Sequence, residues 1–439
     1  MRLVLLLLAG VTALGYDYEP VGTYESRRLE FIRLATANKG LYAQVAHLAA
    51  GKPVDEAPIR AAIAFVDGRS DTADFRVNAL VRLYREANPG LMSDALKAEI
   101  RRSLLAFKYW VDEPGTDHLM GEWSENHQIL FHSSEYLVGQ FFPDSVFSNN
   151  GQTGRQHMAK ARATVLRWIT TKARVGFSEW DSNAYFPESM AALLNLADYA
   201  EDKEVATKAT MLLDVMFIDM AVDSFHGVFG TSHGRTYQNT VLSGPNEGTN
   251  GAEWIAFGMG APGNPDNVST VYLATAKRYV VPALIRKIAL ERPAEMENRE
   301  RQGLTIAAAR NLGLNPDDPN DFYLMWDSGR LSNRADAERA GKLIETLNHH
   351  RYFVVIKPYA DAVIGTYRAL EEMGVTAQGL DRTSLEQVNK ITYKTPDYEL
   401  STAQDYRKGK AGYQQHIWQA TLGPESVVFT LNPSVSTKY

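Results

Sequence analysis

Apolar residues recur at three- and four-residue spacing through most of the first two thirds of the chain. The period is carried by Tyr24–Ala37, Leu41–Ala50, Ala57–Phe65, Ala73–Arg85 and Ser93–Trp110, and it predicts a helix over each. Gly51-Lys52-Pro53, Asn88-Pro89-Gly90 and Glu113-Pro114-Gly115 break the run between them. Further helices are predicted over Glu125–Gln140, Thr153–Ala173, Pro187–Ala200 and Lys203–Ala221, the last two joined tightly through Glu201-Asp202. From Phe225 to Asp266 the chain is rich in Gly, Asn, Ser and His and has no helical period. That stretch predicts a long ordered loop region, a feature more often functional than decorative. Helical spacing returns over Ser269–Ala289, Ala337–Leu347 and Ala360–Met373. The tail alternates instead, and Ile391–Tyr393, Tyr413–Leu422 and Ser426–Leu431 read as strands.

Successive helical hairpins without βαβ alternation predict a mainly α fold: an α/α toroid of about six to seven helical hairpins, with a short β-rich C-terminal segment. The competing straight solenoid needs a fixed repeat, and none is present. The expected division is 1–15 as a signal peptide, 16–385 as the toroid, and 386–439 as a β-rich segment resembling the opening of a β-sandwich.

The signal assignment rests on Arg2, the apolar stretch Leu3–Leu14 and the small residues of Ala13-Leu14-Gly15. The stretch is too short for a comfortable membrane span, so a secreted or periplasmic location is expected. The chain has no cysteine, so no disulfide can staple it and stability must come from a large packed core. With 46 basic against 52 acidic side chains the net charge is −6, which offers no global attraction for nucleic acid or an anionic membrane. A polyanionic partner would need local basic groups, and Arg155, Lys160, Arg162, Arg167, Lys172 and Arg174 form a stretch without an acid that could supply them. A monomer is expected.

Three polar-aromatic clusters stand at predicted hairpin ends. Trp123, Glu125, Asn126, His127 and Gln128 open one helix; Trp180, Asp181, Asn183 and Tyr185 precede another; His233, Arg235 and Tyr237 alternate about Gly234. Taken singly, each has a structural explanation: Asn126 as a helix cap, the tryptophans as core, Arg235 as a loop cation. Together they supply neutral amide, imidazole, phenol and guanidinium without thiolate or metal-ligand spacing, so no metal or cofactor is implied. Such groups suit β-elimination of a uronic-acid polysaccharide. Amide and imidazole stabilise charge on the sugar carboxylate, and a phenol beside a cation takes the C5 proton.

The Asn126-His127 pair, Tyr185 one repeat later and the His233/Arg235/Tyr237 group resemble the catalytic pattern of α/α-toroid polysaccharide lyases, of the alginate lyase and heparinase II/III-like kinds. The resemblance spans Gly121–Tyr237. It implies Asn126 and His127 as carboxylate neutralisers, Tyr185 as base and acid with Tyr237 competing, Arg235 lowering the tyrosine's pKa, and His233 assisting. Trp123, Glu125, Gln128, Trp180 and Asn183 would bind substrate. The family often has asparagine where this chain has Glu125, whose carboxylate would repel a uronate unless it points away. Two other readings stay open. One is an inverting glycoside hydrolase with Glu125 or Glu122 as acid and Asp181 or Glu179 as base. The other is a non-catalytic carbohydrate-binding protein.

Overall fold

The structure is a computed structural model that describes residues 16–115, 120, 124–324, 332–346, 356–376, 379–408, 410 and 412–430. The expected signal segment, Glu122 and Trp123 lie outside the described residues. Helices dominate. They run α1 (Tyr24–Ala35), α2 (Ala43–Ala49), α3 (Glu56–Asp67), α4 (Ala73–Glu86), α5 (Asp94–Ala106), α6 (Glu125–Phe141), α7 (Gly154–Val175), α8 (Phe186–Tyr199) and α9 (Lys203–Val222). Then follow α10 (Gln238–Val241), α11 (Asn250–Phe257), α12 (Val268–Ala274), α13 (Ala283–Leu290), α14 (Ile306–Ala309), α15 (Pro319–Leu324), α16 (Arg334–Thr346) and α17 (Ile356–Glu372).

Burial sorts these helices into inner and outer sets. Every residue of α8 except Glu188 is buried, and α6 is buried almost throughout, as expected of helices with neighbours on all sides. By contrast α7 buries His157, Ala161, Val165, Trp168, Ile169 and Lys172, a single stripe at three- and four-residue spacing. Packing follows the same division. Helix α2 lies against α4, α4 against α6, α6 against α8, α8 against α12, and α12 returns to α2. Outside that circuit, α1, α3, α5, α7 and α9 cover it.

Buried polar ties fix the circuit at one end. Arg82 of α4 is fully buried and donates to Asn195 Oδ1 at 3.0 Å and Asp198 Oδ2 at 2.9 Å of α8, and to the Thr275 carbonyl after α12 at 3.3 Å. These bonds lie toward the C-terminal ends of α4, α8 and α12, so the opposite, N-terminal ends are the ones left to form a cleft.

The sheet is an antiparallel meander in the order β1 (Met296–Gln302), β2 (Val388–Lys394), β3 (Glu399–Ala403), β4 (Trp418–Gly423) and β5 (Ser426–Val428). Strand β1 precedes α14–α17 in sequence, so the β region starts well before residue 386. Two other expectations also change. The 225–266 stretch is not all loop, since it holds α10 and the buried α11. The single helix expected over 269–289 is two, α12 and α13, separated by a stretch ending at Pro282, which lacks the N–H that a continuous helix needs. Among the described residues no helix is long and apolar enough to cross a membrane.

Candidate functional site

The first residues of α4, α6 and α8 meet. Asp74 Oδ2 stands 2.7 Å from Nδ1 of His127, which joins the start of α4 to the start of α6. Burial works against charge on His127, but Asp74 outweighs it and holds the imidazole above its ordinary pKa. With Nδ1 donating to Asp74, Nε2 faces away from the orienting carboxylate and donates from there when the ring is protonated, the form that Asp74 favours. Beside it, Asn126 is buried and its Oδ1 accepts from the Ser124 hydroxyl. That bond leaves the amide Nδ2, which is buried without a hydrogen-bond partner. An unmet buried donor costs roughly 1–3 kcal/mol, which a hydrogen-bonding ligand would recover.

The second half of the site is zippered from two loops. The segment 176–185 runs from Gly176, at φ 70°, to Tyr185, the N-cap of α8. The segment 231–237 lies along it: Gly234 N–H donates to the Trp180 carbonyl at 2.8 Å, and the Ser182 hydroxyl donates to the Arg235 carbonyl at 2.8 Å. On its other side the same segment exchanges backbone bonds with the chain before β4, His233 with His416 in both directions at 2.8 Å. Only glycine fits at 234, because a Cβ there would lie 2.7 Å from the Trp180 nitrogen and 2.5 Å from its ring. We therefore expect Gly234→Ala to separate the two loops, lowering Tm by several degrees and activity more than Gly365→Ala, a glycine with open space around it. Equal effects of the two substitutions would contradict the zipper.

The zipper brings the Tyr185 and Tyr237 hydroxyls into hydrogen-bond contact. Arg235 Nη2 lies 3.4 Å from the Tyr237 oxygen, and its guanidinium sits 5.5 Å and 5.7 Å from the two ring centroids. Glu179, 3.4 Å from Arg235, holds that cation charged and also contributes to the field at His127, which links the two halves electrostatically. Tyr185 does not fit the expectation of a depressed phenol. Burial and the bond to Tyr237 push it above its ordinary value, and Arg235 offsets only part of that rise.

Other expected site residues serve the framework. Glu125 points away from the cleft, paired with Lys172 and accepting from the Ser178 and Glu179 backbone N–H groups at 2.9 Å and 2.8 Å. Trp180 is fully buried against Leu385, Val388, Ala403 and Tyr406, so it is a core residue joining helices to sheet and cannot be a sugar platform. Asn183 is fully buried, accepting from the Thr236 hydroxyl at 2.8 Å and lying 3.4 Å from His233 Nε2. His233 has its Nδ1 on the Asp181 carbonyl, and burial drives its pKa well down, so it is a neutral strut and does not assist from the cleft. Gln128 is buried within α6. Asp181 is locked by Lys390 and Gln302, so with Glu125 pinned the inverting-hydrolase reading is left with Glu179, which pairs with Arg235, and Glu122, which lies outside the described residues. Nor is the basic run of α7 a free field. Arg155, Lys160, Arg162, Arg167 and Lys172 all pair with acids, and Arg174 donates to the Leu312 carbonyl.

Among the described residues two largely buried clusters have ligand-like spacing, Glu113/Glu135/His157 and Asp181/Asp223/Glu300. Each already surrounds an ammonium. Lys160 is 3.0 Å from both Glu113 and Glu135, and Lys390 bonds all three acids of the second group. Asp74 and Glu188 are the site residues that sequence reasoning passed over. Comparison with protein-family models, curated proteins and solved structures finds no match to this chain.

Proposed function

We propose that the protein is a polysaccharide lyase that cleaves a uronic-acid-containing polysaccharide by β-elimination on an α/α toroid. The observation that carries this reading is the unpartnered Asn126 amide beside the Asp74-oriented His127, linked electrostatically to the Arg235–Tyr237–Tyr185 chain. The closed circuit of α2, α4, α6, α8 and α12 supports a toroid, with fewer inner helices than the six to seven hairpins expected. Several inner helices start at the cleft, so their N-terminal dipoles favour an anion there even though the protein is net acidic.

In this mechanism Asn126 Nδ2 and His127 Nε2 donate to the uronate carboxylate and stabilise the charge that grows on it as C5 loses its proton. The tyrosine pair takes that proton and returns one to the departing O4. Glu125 faces Lys172, so its carboxylate does not repel the uronate. The protein would act as a secreted or periplasmic monomer.

Elimination creates an unsaturated uronate that absorbs in the ultraviolet, whereas hydrolysis creates only a reducing end. Incubation with alginate, glucuronan, hyaluronan and heparin should therefore raise ultraviolet absorbance with at least one of them. Absence of a rise with all four, together with new reducing ends on a neutral glycan, would overturn the reading. Asn126→Ala should lower kcat/KM by about a hundred-fold, the usual effect of losing one donor to developing charge.

A further inference from the structure

Glu188 stands three residues after Tyr185, in the first turn of α8, and its surroundings come from every other inner helix. Asp74 and Arg76 of α4 and His127 of α6 act on its carboxyl. Its own charge acts in turn on Tyr42 at the start of α2 and on Tyr272 of α12. Helix α9, which also packs on α8, adds no titratable group to this set among the described residues. The carboxyl thus lies where the inner helices converge, on the side of the circuit opposite the Arg82 ties.

Glu188 is half-buried, and one of its two carboxyl oxygens is left unsatisfied. Oε2 is buried without a hydrogen-bond partner, and none of the five groups around it makes an ion pair or hydrogen bond to it. A buried carboxyl ordinarily acquires a cation or several donors. Here Arg76 is spent on Thr72 and the Phe65 ring, and His127 is spent on Asp74. Glu188 therefore carries an unsatisfied buried oxygen on α8, the helix that packs against the one bearing the unsatisfied donor of Asn126.

We propose that Glu188 is a charge gate for the substrate: as a neutral acid it joins Asn126 and His127 in binding the uronate, and as a carboxylate it repels it. The inference rests on the lyase reading and adds a specificity-determining residue to it. The neutral form supplies an O–H donor where an anion must sit. Burial, with Asp74 adding to it, raises the carboxyl pKa to about 8, so the neutral form persists through neutral pH. The ionised form puts a second negative charge against the sugar carboxylate in a site of low dielectric, where like charges are strongly unfavourable. The gate also discriminates by substrate. A neutral sugar loses nothing when Glu188 ionises, so only acidic polymers feel it.

The test is equilibrium binding of an unsaturated-end-free hexauronate of whichever polymer is cleaved, by titration calorimetry from pH 6 to pH 9.5, on the full chain carrying Tyr185→Phe to halt turnover, with and without Glu188→Gln. With Glu188 in place Kd should rise about ten-fold per pH unit once Glu188 ionises, as expected when one proton is linked to binding. Glu188→Gln should bind as tightly at pH 6 and keep that affinity to pH 9.5. Melting temperature of the variant at each pH separates lost folding from lost binding. If both proteins weaken equally with pH, or if neither does, the gate is overturned while the lyase reading stands. If no hexauronate binds at any pH, the lyase reading falls and the gate falls with it.

Discussion

Tyr185→Phe should lower kcat between about a hundred-fold and ten-thousand-fold while leaving KM within a small factor, the range observed when a positioned acid–base group is removed. Position in the hydrogen-bond chain singles out Tyr185. A guanidinium only donates, so the Tyr237 oxygen accepts from Arg235. The two hydroxyls share one hydrogen bond, and once Tyr185 gives up its proton the Tyr237 hydroxyl is the donor that stabilises its phenolate. Tyr185 is also the N-cap of α8, where the helix dipole favours negative charge. Tyr237→Phe removes one donor to that phenolate and should cost roughly ten- to a hundred-fold, the worth of a hydrogen bond to a charged group. The order of the two losses decides the assignment, and a greater loss for Tyr237→Phe would move the base to Tyr237.

The pH dependence of kcat is a second check on the same residue. Burial and Tyr237 hold the Tyr185 phenol above its ordinary pKa, so the resting protein carries it protonated. The ionised fraction grows with pH, and kcat should climb through the neutral and alkaline range while KM worsens through Glu188. Glu188→Gln should abolish the second trend and keep the first. A kcat that is already flat below neutrality would show that the base is ionised there, against the burial seen at Tyr185.

Local periodicity made most of this architecture legible, and long-range pairing accounts for what it missed. Helices α6 to α9 were readable almost to the residue, because their apolar spacing is unbroken and a breaker or cap marks a boundary of each: Pro143 after α6, Gly176 closing α7, Pro187 opening α8 and Asp202 capping α9. Strand β1 carried no such signal. Its sequence MENRERQ alternates exposure at a sheet edge, yet four of its residues are charged, so no apolar face announces it. Helix α11 was hidden in a stretch rich in Gly and Asn, although Trp254-Ile255-Ala256-Phe257 was its one clue. At the site, Asn126, His127, Tyr185, Arg235 and Tyr237 were visible as polar clusters at hairpin ends. Asp74 and Glu188 were not, because an acid in the first turn of a helix is ordinary and marks nothing. The orientation of Glu125 was also out of reach, since it depends on Lys172, 47 residues away. Trp180 looked like a sugar platform because its neighbours in sequence are polar, whereas its neighbours in space are Leu385, Val388 and Ala403.

Removing Lys390 should have the largest effect on stability of any single substitution in the chain. Its ammonium is fully buried and bonds Asp181, Asp223 and Glu300 at once, joining β2 to β1, to the end of α9 and to the loop that leads to Tyr185. Lys390→Met fills the same volume but leaves three carboxylates facing one another. Breaking one buried ion pair typically costs about 3–5 kcal/mol, and here one cation serves three acids. The loss should grow with pH. Burial already raises Asp181 and Asp223, Lys390 being the main influence that lowers them, so without it they rise further. An acid whose folded pKa exceeds its unfolded value keeps its proton in the fold, so folding loses stability as pH rises from the unfolded toward the folded pKa. Lys390→Met should therefore melt close to the parent near pH 4 and far below it at pH 7 to 8. Asp181 is also held at φ 46°, a strained conformation for a residue with a side chain, and its release should loosen the loop that zippers Tyr185 to Tyr237. Activity should then fall even where the variant stays folded. Adding Asp181→Asn and Asp223→Asn to Lys390→Met should recover much of the lost Tm at pH 7, because two of the three uncompensated charges, the two fully buried ones, are gone. A deficit equal at pH 4 and pH 8, and unmoved by the two asparagines, would show that Lys390 contributes only packing.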